Sequence, residues 1–227
     1  ILDKADALRA KRRAALAQLD TLSQSIFLDS FIEKATFGIR TLDSVCELIT
    51  DGTHYTPTYS EVGVIFLSSR NVTSGYIDWE DVKHIPQELH LELHRRVAPR
   101  ANDILLAKNG TTGVAAIVDR NCLFDIYVSL ALIRASECVL PIFLREAINS
   151  PVCTRQFNAS LKGIGVPNLH LKEIRQTRIP VPPIDLQREF VGRVEAIEKQ
   201  RKAYRASLAR LDALFASLQH RAFLGDL

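Results

Sequence analysis

Gly110-Thr111-Thr112-Gly113 follows an apolar run and is preceded by Lys108-Asn109. Small residues let a backbone approach a phosphate closely, and a lysine with two hydroxyls can bond its oxygens. The same glycines suit a tight strand-to-strand turn, so the segment reads as a phosphate contact or as a hairpin. Thr53, His54, Arg70 and Asn71 sit in early loops. Their side chains fit base edges or phosphates, and fit ordinary turns equally well. Lys162 and Asn168, with Lys172, form a weaker third set around the Gly-rich stretch that begins at Gly163. Asp81-Val82-Lys83 carries the D-x-K half of a nuclease metal site, a triplet common by chance. His90 and His94 stand at i and i+4, but the HExxH glutamate is missing and no third ligand suggests itself. A solvated helix face without metal is the expectation. No GxxxxGK[ST] loop is present, nor a Gly-rich cofactor loop. Pro182-Pro183 lies between Val181 and Ile184, so it offers no amide to hold a target base. The chain is therefore expected to be non-catalytic and to need no cofactor.

The elements that would position these residues are clearest at the two ends. Phe190, Val194, Ile197, Arg201, Tyr204, Leu208, Leu211, Phe215, Leu218 and Ala222 follow one another at alternating steps of four and three. That spacing is a coiled-coil seam. A helix over 184–222 would run about 60 Å, more than one small core can cover, so it needs a partner. A shift of 192 residues lays 12–27 over 204–219 and matches Arg9, Arg13, Leu16, Leu19, Asp20 and Ser25 to Arg201, Arg205, Leu208, Leu211, Asp212 and Ser217. Matches at Asp and Ser in one register point to true repetition beyond a shared Ala/Leu/Arg composition. Helices near 1–31 and 184–222 are expected to pack antiparallel. Leu16, Leu19 and Ile26 should then be buried against the seam of Val194, Ile197, Leu208 and Leu211, with Phe215 and Leu218 continuing it.

Between them the chain reads as mixed α/β, of the α+β kind. Strands are expected over 45–50, 63–68, 103–108 and 113–119, and the apolar run 125–135 as one more. Segments 137–150 and 152–161 read as helices broken at Pro151, and the prolines of 179–187 preclude continued strand pairing. The divisions follow as a spacer helix over 1–36, a globular domain over 37–183 and a second spacer over 184–227. Residues 43–92 hold nine acids and two bases, whereas 138–180 hold two acids and six bases, so one end can present a cationic face. Four scattered cysteines without a CxxC pair read as buried free thiols of a reducing, cytoplasmic setting. Neither a membrane span nor a signal peptide is expected. With no methionine in the sequence, Ile1 cannot be a translation start, and the chain is expected to be part of a longer one.

Four segments in this order, flanked by the helical repeat, carry a family resemblance. They are Asp51-Gly52-Thr53-His54 with Thr56-Pro57, Leu106 to Gly113, Gly163 to Leu169, and Ile179-Pro180-Val181-Pro182-Pro183-Ile184-Asp185-Leu186-Gln187. The arrangement resembles the specificity subunit of type I restriction-modification systems, and the likeness covers essentially the whole chain. It implies a target-recognition domain that reads one half of a bipartite double-stranded DNA target. It further implies helical spacers that dock methyltransferase subunits and, through the complex, restriction subunits. One recognition domain in place of the family's two implies a half-subunit or a C-terminal half, with a homodimer through the helices as a further expectation. A coiled-coil adaptor whose globular domain binds protein rather than DNA is the alternative.

Overall fold

The computed structural model describes residues 2–33, 37–73, 75–161 and 167–224. In chain order the elements are α1 (Leu2–Leu28), which runs into a π turn at Asp29–Glu33, β1 (Ile39–Thr41), α2 (Leu42–Val45), β2 (Cys46–Asp51) and β3 (Val64–Leu67). There follow β4 (Lys83–Ile85), α3 (Gln87–Arg96), β5 (Ile104–Ala107), β6 (Ala115–Ile117), β7 (Phe124–Ile126) and β8 (Leu130–Ala135). Helices α4 (Pro141–Asn149), α5 (Pro151–Ser160) and α6 (Leu171–Gln176), strand β9 (Arg178–Pro180) and helix α7 (Ile184–Phe223) complete the chain.

Helices α1 and α7 pack antiparallel, and their ion pairs fix the register. Arg9 Nε lies 2.6 Å from Asp212 Oδ1, and Arg201 Nε lies 3.2 Å from Asp20 Oδ1. The shift that superposes the two helices carries Arg9 onto Arg201 and Asp20 onto Asp212, so these are one interaction made twice in reciprocal directions. Arg12 and Tyr204 are equivalent under the same shift and meet each other, with the guanidinium 4.1 Å from the ring centroid. An antiparallel pair in which equivalent residues touch has a local twofold near that contact. The repeat in the sequence is thus a pseudo-symmetric helix pair in space. Val194 and Ile197 are buried, whereas Leu208, Leu211, Phe215 and Leu218 are half-buried, and so are Leu16, Leu19 and Ile26, which corrects the expectation that those three are buried. Toward the far end the seam relies on polar and cation–π contacts, among them Arg9 over Phe215 at 4.1 Å.

Where the helices meet the globular part, four rings close on one another. Phe27, Phe31, Phe143 and Phe190 have every pair of centroids between 5.2 and 5.9 Å apart. Gln187, fully buried, reinforces this junction. Its Oε1 accepts from Leu140 N at 2.9 Å, and its Nε2 donates to Cys138 O at 3.1 Å and Pro182 O at 2.9 Å. A buried amide with three partners ties the start of α7 to the turn before α4. The glutamine after the Pro-Pro exit therefore has a structural job.

The globular part is layered. Strands β2-β8-β5-β6 form an antiparallel sheet, β4-β3-β7 a second sheet in which β3 and β7 are parallel, and β1-β9 a small ribbon. Alternation decides the faces: Ile104 and Leu106 turn toward the helices and the phenylalanine cluster, Leu105 and Ala107 toward the second sheet. Phe124 and Ile126 meet them from the second sheet, whose other face packs Phe66 and Ile85 against Leu89 and Leu93 of α3.

Three expectations need correcting. The run 125–135 is two strands, because Leu130 N turns back onto Tyr127 O at 2.9 Å and sends β7 and β8 into different sheets. Pairing also continues to Pro180, opposite Ile39, on a ribbon where the missing N–H costs nothing. The cysteines are unpaired, but only Cys153 is buried, Cys46 and Cys122 being half-buried and Cys138 exposed, which corrects the expectation that all four are buried. Burial pushes the thiols of Cys46 and Cys153 up to about 12, which keeps them neutral and unreactive. No described helix is long and apolar enough to cross a membrane.

The junction should dominate stability. Phe190→Ala is expected to cost about 3–5 kcal/mol in denaturant unfolding, whereas Leu214→Ala, at 51% exposure on the far part of α7, should stay within about 0.5 kcal/mol. Equal costs would contradict this assignment.

Candidate functional site

Strands β2 and β5 both run antiparallel to β8, so their C-terminal ends lie at one edge. Asp51 pairs with Ala131, and Ala107 with Leu130. Strand β7 turns into β8 at that edge, and β3 runs parallel to β7. Four strands therefore deliver their following loops to one side of the molecule. Hydrogen bonds knit the loops together: Thr53 N to Ile126 O at 3.1 Å, Val128 N to Thr53 O at 2.9 Å, Lys108 N to Ser129 O at 2.9 Å and Ser69 N to Ser129 Oγ at 3.0 Å. The 167–169 segment joins them, with Leu169 N donating to Lys108 O at 2.8 Å and Gly110 N to Pro167 O at 3.2 Å. Asn109 and Asn168 form an isolated bridge, and neither side-chain Oδ1 finds a donor among the described residues.

Asp51 organises the interior of this edge. Its Oδ2 lies 3.2 Å from Lys108 Nζ, and both side chains are less than one-tenth exposed. Its Oδ1 lies 3.2 Å from His54 Nε2, and its carbonyl accepts from Arg96 at 2.8 Å. At Gly52 an added Cβ would stand 1.9 Å from Ile126 O, so only glycine lets the loop lie against β7. The first motif is thus a backbone fit followed by an internal ion pair.

The predicted residues divide accordingly. His54 and Arg70 project outward, with side chains 71% and 79% exposed; among the described residues Arg70 pairs with Asp81 at 3.9 Å. Thr111 is exposed, and Thr112, Asn109 and Asn168 are half-buried at the same edge. Three others face inward, which corrects the expectation of an outward-facing set. Lys108 spends its charge on Asp51. Thr53 is 4% exposed with no partner for Oγ1 among the described residues, and Asn71 is 6% exposed. Asn71 bonds Ser68 N and the Asp81 carbonyl at 2.9 Å each, closing its own turn. Lys162 lies outside the described residues. The β5–β6 connection is a hairpin whose Gly110 and Gly113 sit at φ +77° and +86°, so the turn itself requires both glycines.

A second constellation lies on the far face of the β3-β4-β7 sheet, and it overturns the reading of His90 and His94 as a solvated face. His90 is buried, with Nδ1 2.7 Å from Asp125 Oδ2, and His94 Nδ1 stands 3.7 Å from Asp125 Oδ1. The third donor was invisible in sequence because Asp125 sits within an apolar run, where strand alternation turns it away from Phe124 and Ile126 and toward α3. Burial raises the Asp125 carboxyl, partly offset by the two histidines. Asp51 and Arg96 also escaped the sequence reading, although the acid of Asp-Gly-Thr-His was a usable signal.

Residues 35–207 match the model of the type I restriction modification DNA specificity domain. The chain is 30% identical over 175 residues to the type I restriction enzyme EcoBI specificity subunit of Escherichia coli, covering 73% of this chain and 36% of that protein. It is 26% identical over 210 residues to the EcoKI specificity subunit of Escherichia coli strain K12, covering 86% and 44%. Among solved structures it is similar to a chain from work on complex assembly and conformational transition of the type I R-M system, with TM-score 0.67, 20% identity and coverage of 99% and 56%. It is also similar to the HsdS subunit of Thermoanaerobacter tengcongensis, with TM-score 0.60, 19% identity and coverage of 100% and 56%. A third likeness is to the type I S subunit of M. genitalium, with TM-score 0.55, 15% identity and coverage of 96% and 54%. At these identities the solved structures show the fold. The chain spans about half the length of those solved chains and less than half of the two curated relatives.

The Asp51–Lys108 pair makes a direct prediction. Asp51→Ala strands a buried ammonium and should cost about 3–5 kcal/mol in urea unfolding, most of it recovered by the apolar double change Asp51→Leu with Lys108→Met. A near-neutral Asp51→Ala would show that Lys108 is not held inside.

Proposed function

The chain belongs to the type I restriction modification DNA specificity family, and from that premise we propose that it reads one half of a bipartite double-stranded DNA target without performing chemistry itself. The observation that carries this reading is the convergence of four strand-end loops and the 167–169 segment on one edge of a rigidly braced domain. Such an edge is a preformed surface whose loops can vary while the strands beneath stay fixed.

The residues proposed to face DNA are His54, Arg70, Asn109, Thr111, Thr112 and Asn168. A loosely paired Arg70 can offer two parallel donors to a guanine edge. Where His54 Nε2 donates to Asp51, its Nδ1 is left outward as an acceptor. Thr111, on a tight hairpin, suits a phosphate oxygen. Lys108, Thr53 and Asn71 support this surface from within. The proposed divisions are 1–36 and 184–227 as spacers and 37–183 as the recognition domain. The spacers set the distance to the second half-site and dock methyltransferase subunits, with restriction subunits joining through the complex. A second copy related by a twofold through the helices would supply the second half-site. The proposed setting is the cytoplasm, where unpaired thiols are the norm.

The test is binding by the chain assembled with its methyltransferase subunits, on matched and mismatched duplexes over a salt series. Arg70→Ala is expected to lose about 1–3 kcal/mol on the matched site and to relax one position, whereas Thr111→Ala should weaken all sequences modestly. Intact complexes of both variants that bind and methylate like wild type would place the DNA face elsewhere, and a chain that binds protein but no DNA would favour the adaptor reading.

A further inference from the structure

On the face of the sheet away from the helices, three ligand-type side chains converge that DNA reading does not use. His90 and His94 stand one turn apart on α3 and turn Nδ1 atoms toward the Asp125 carboxylate of β7, at 2.7 and 3.7 Å. The donor atoms of all three residues lie within 4.8 Å of one another. Tetrahedral coordination with bonds of about 2.0–2.2 Å needs donors roughly 3.3–3.5 Å apart, so the widest pair would close by at most about 1.5 Å.

The hydrogen bond from His90 accounts for only one carboxylate oxygen. Asp125 Oδ1 and His94 Nδ1 are both buried and without a hydrogen-bond partner among the described residues, and 3.7 Å is too long for one to satisfy the other. Two orphaned buried donors of opposite ligand type, facing each other, are what a cation would bridge.

We propose that His90, His94 and Asp125 form a site for a divalent first-row transition ion, with Zn²⁺ the best match to two imidazoles and one carboxylate. The ion would be structural. It would pin α3 to β7, and α3 holds the 51–55 loop through Arg96 on Asp51 O at 2.8 Å and Glu92 on Tyr55 Oη at 3.3 Å. This inference stands independently of what the loop edge binds.

The experiment is titration of the chelator-stripped chain with Zn²⁺ by calorimetry and with Co²⁺ by visible absorption, wild type against His94→Ala. His94 is partly exposed, and its loss leaves the His90–Asp125 hydrogen bond in place, so the variant should fold. The wild type should bind one ion, melt about 5–10 °C higher at one hundred times Kd, and give a Co²⁺ spectrum of low coordination number without thiolate charge transfer. His94→Ala should bind more weakly than the 10–100-fold typical of a lost supporting contact. Failure to bind, equal affinity in the variant, or a thiolate-ligated Co²⁺ spectrum would each overturn the proposal.

Discussion

Four phenylalanine rings hold the two halves of this architecture in one frame. Phe27 and Phe31 end the first long helix, Phe190 begins the second, and Phe143 belongs to α4 on the sheet. Each ring buries a large apolar area, and the mutual edge contacts fix its orientation. Beyond this point the helix pair has little buried apolar surface, because apart from Ala5 the described side chains along its far half are half-buried or exposed. The angle at which the globular domain leaves the helices is therefore set at one place. Gln187 fixes the same junction with hydrogen bonds that water cannot easily replace.

From that junction the layers dictate where variation is tolerable. In the β2-β8-β5-β6 sheet, β5 and β6 are packed on both faces and carry only apolar side chains. The loops at the opposite edge carry no such burden. Yet they are not free. Gly52, Asp51 and Lys108 commit backbone and charge to the interior, which leaves His54, Arg70 and Thr111 as outward groups on a stiff base. Stiffness matters, because a side chain that need not be ordered on binding loses less entropy there.

The sequence made the coiled coil, the repeat and four of the strands legible, since each rests on a local period or a shift within the chain. It also made the loops legible as loops. It did not reveal which polar residues in them face inward. Lys108 and Arg70 are both cations next to strand ends, and only tertiary pairing with Asp51 separates the buried one from the exposed one. The same limit hid Asp125, whose partners lie more than thirty residues earlier and meet it only because α3 covers β7. The split of 125–135 into two strands likewise shows only in space, where Tyr127 N bonds Leu67 O while Leu130 N turns back onto Tyr127 O.

If recognition resides in the loop edge and geometry in the helices, the two should be separable. Residues 37–183 can be exchanged for the corresponding segment of another family member while both helices are kept, and the methylated motif mapped in cells carrying the complete system. The exchange should alter one half of the target and leave the other half and the spacing between them unchanged. A motif that stays the same, or that changes in its spacing instead, would contradict the assignment of sequence choice to this domain.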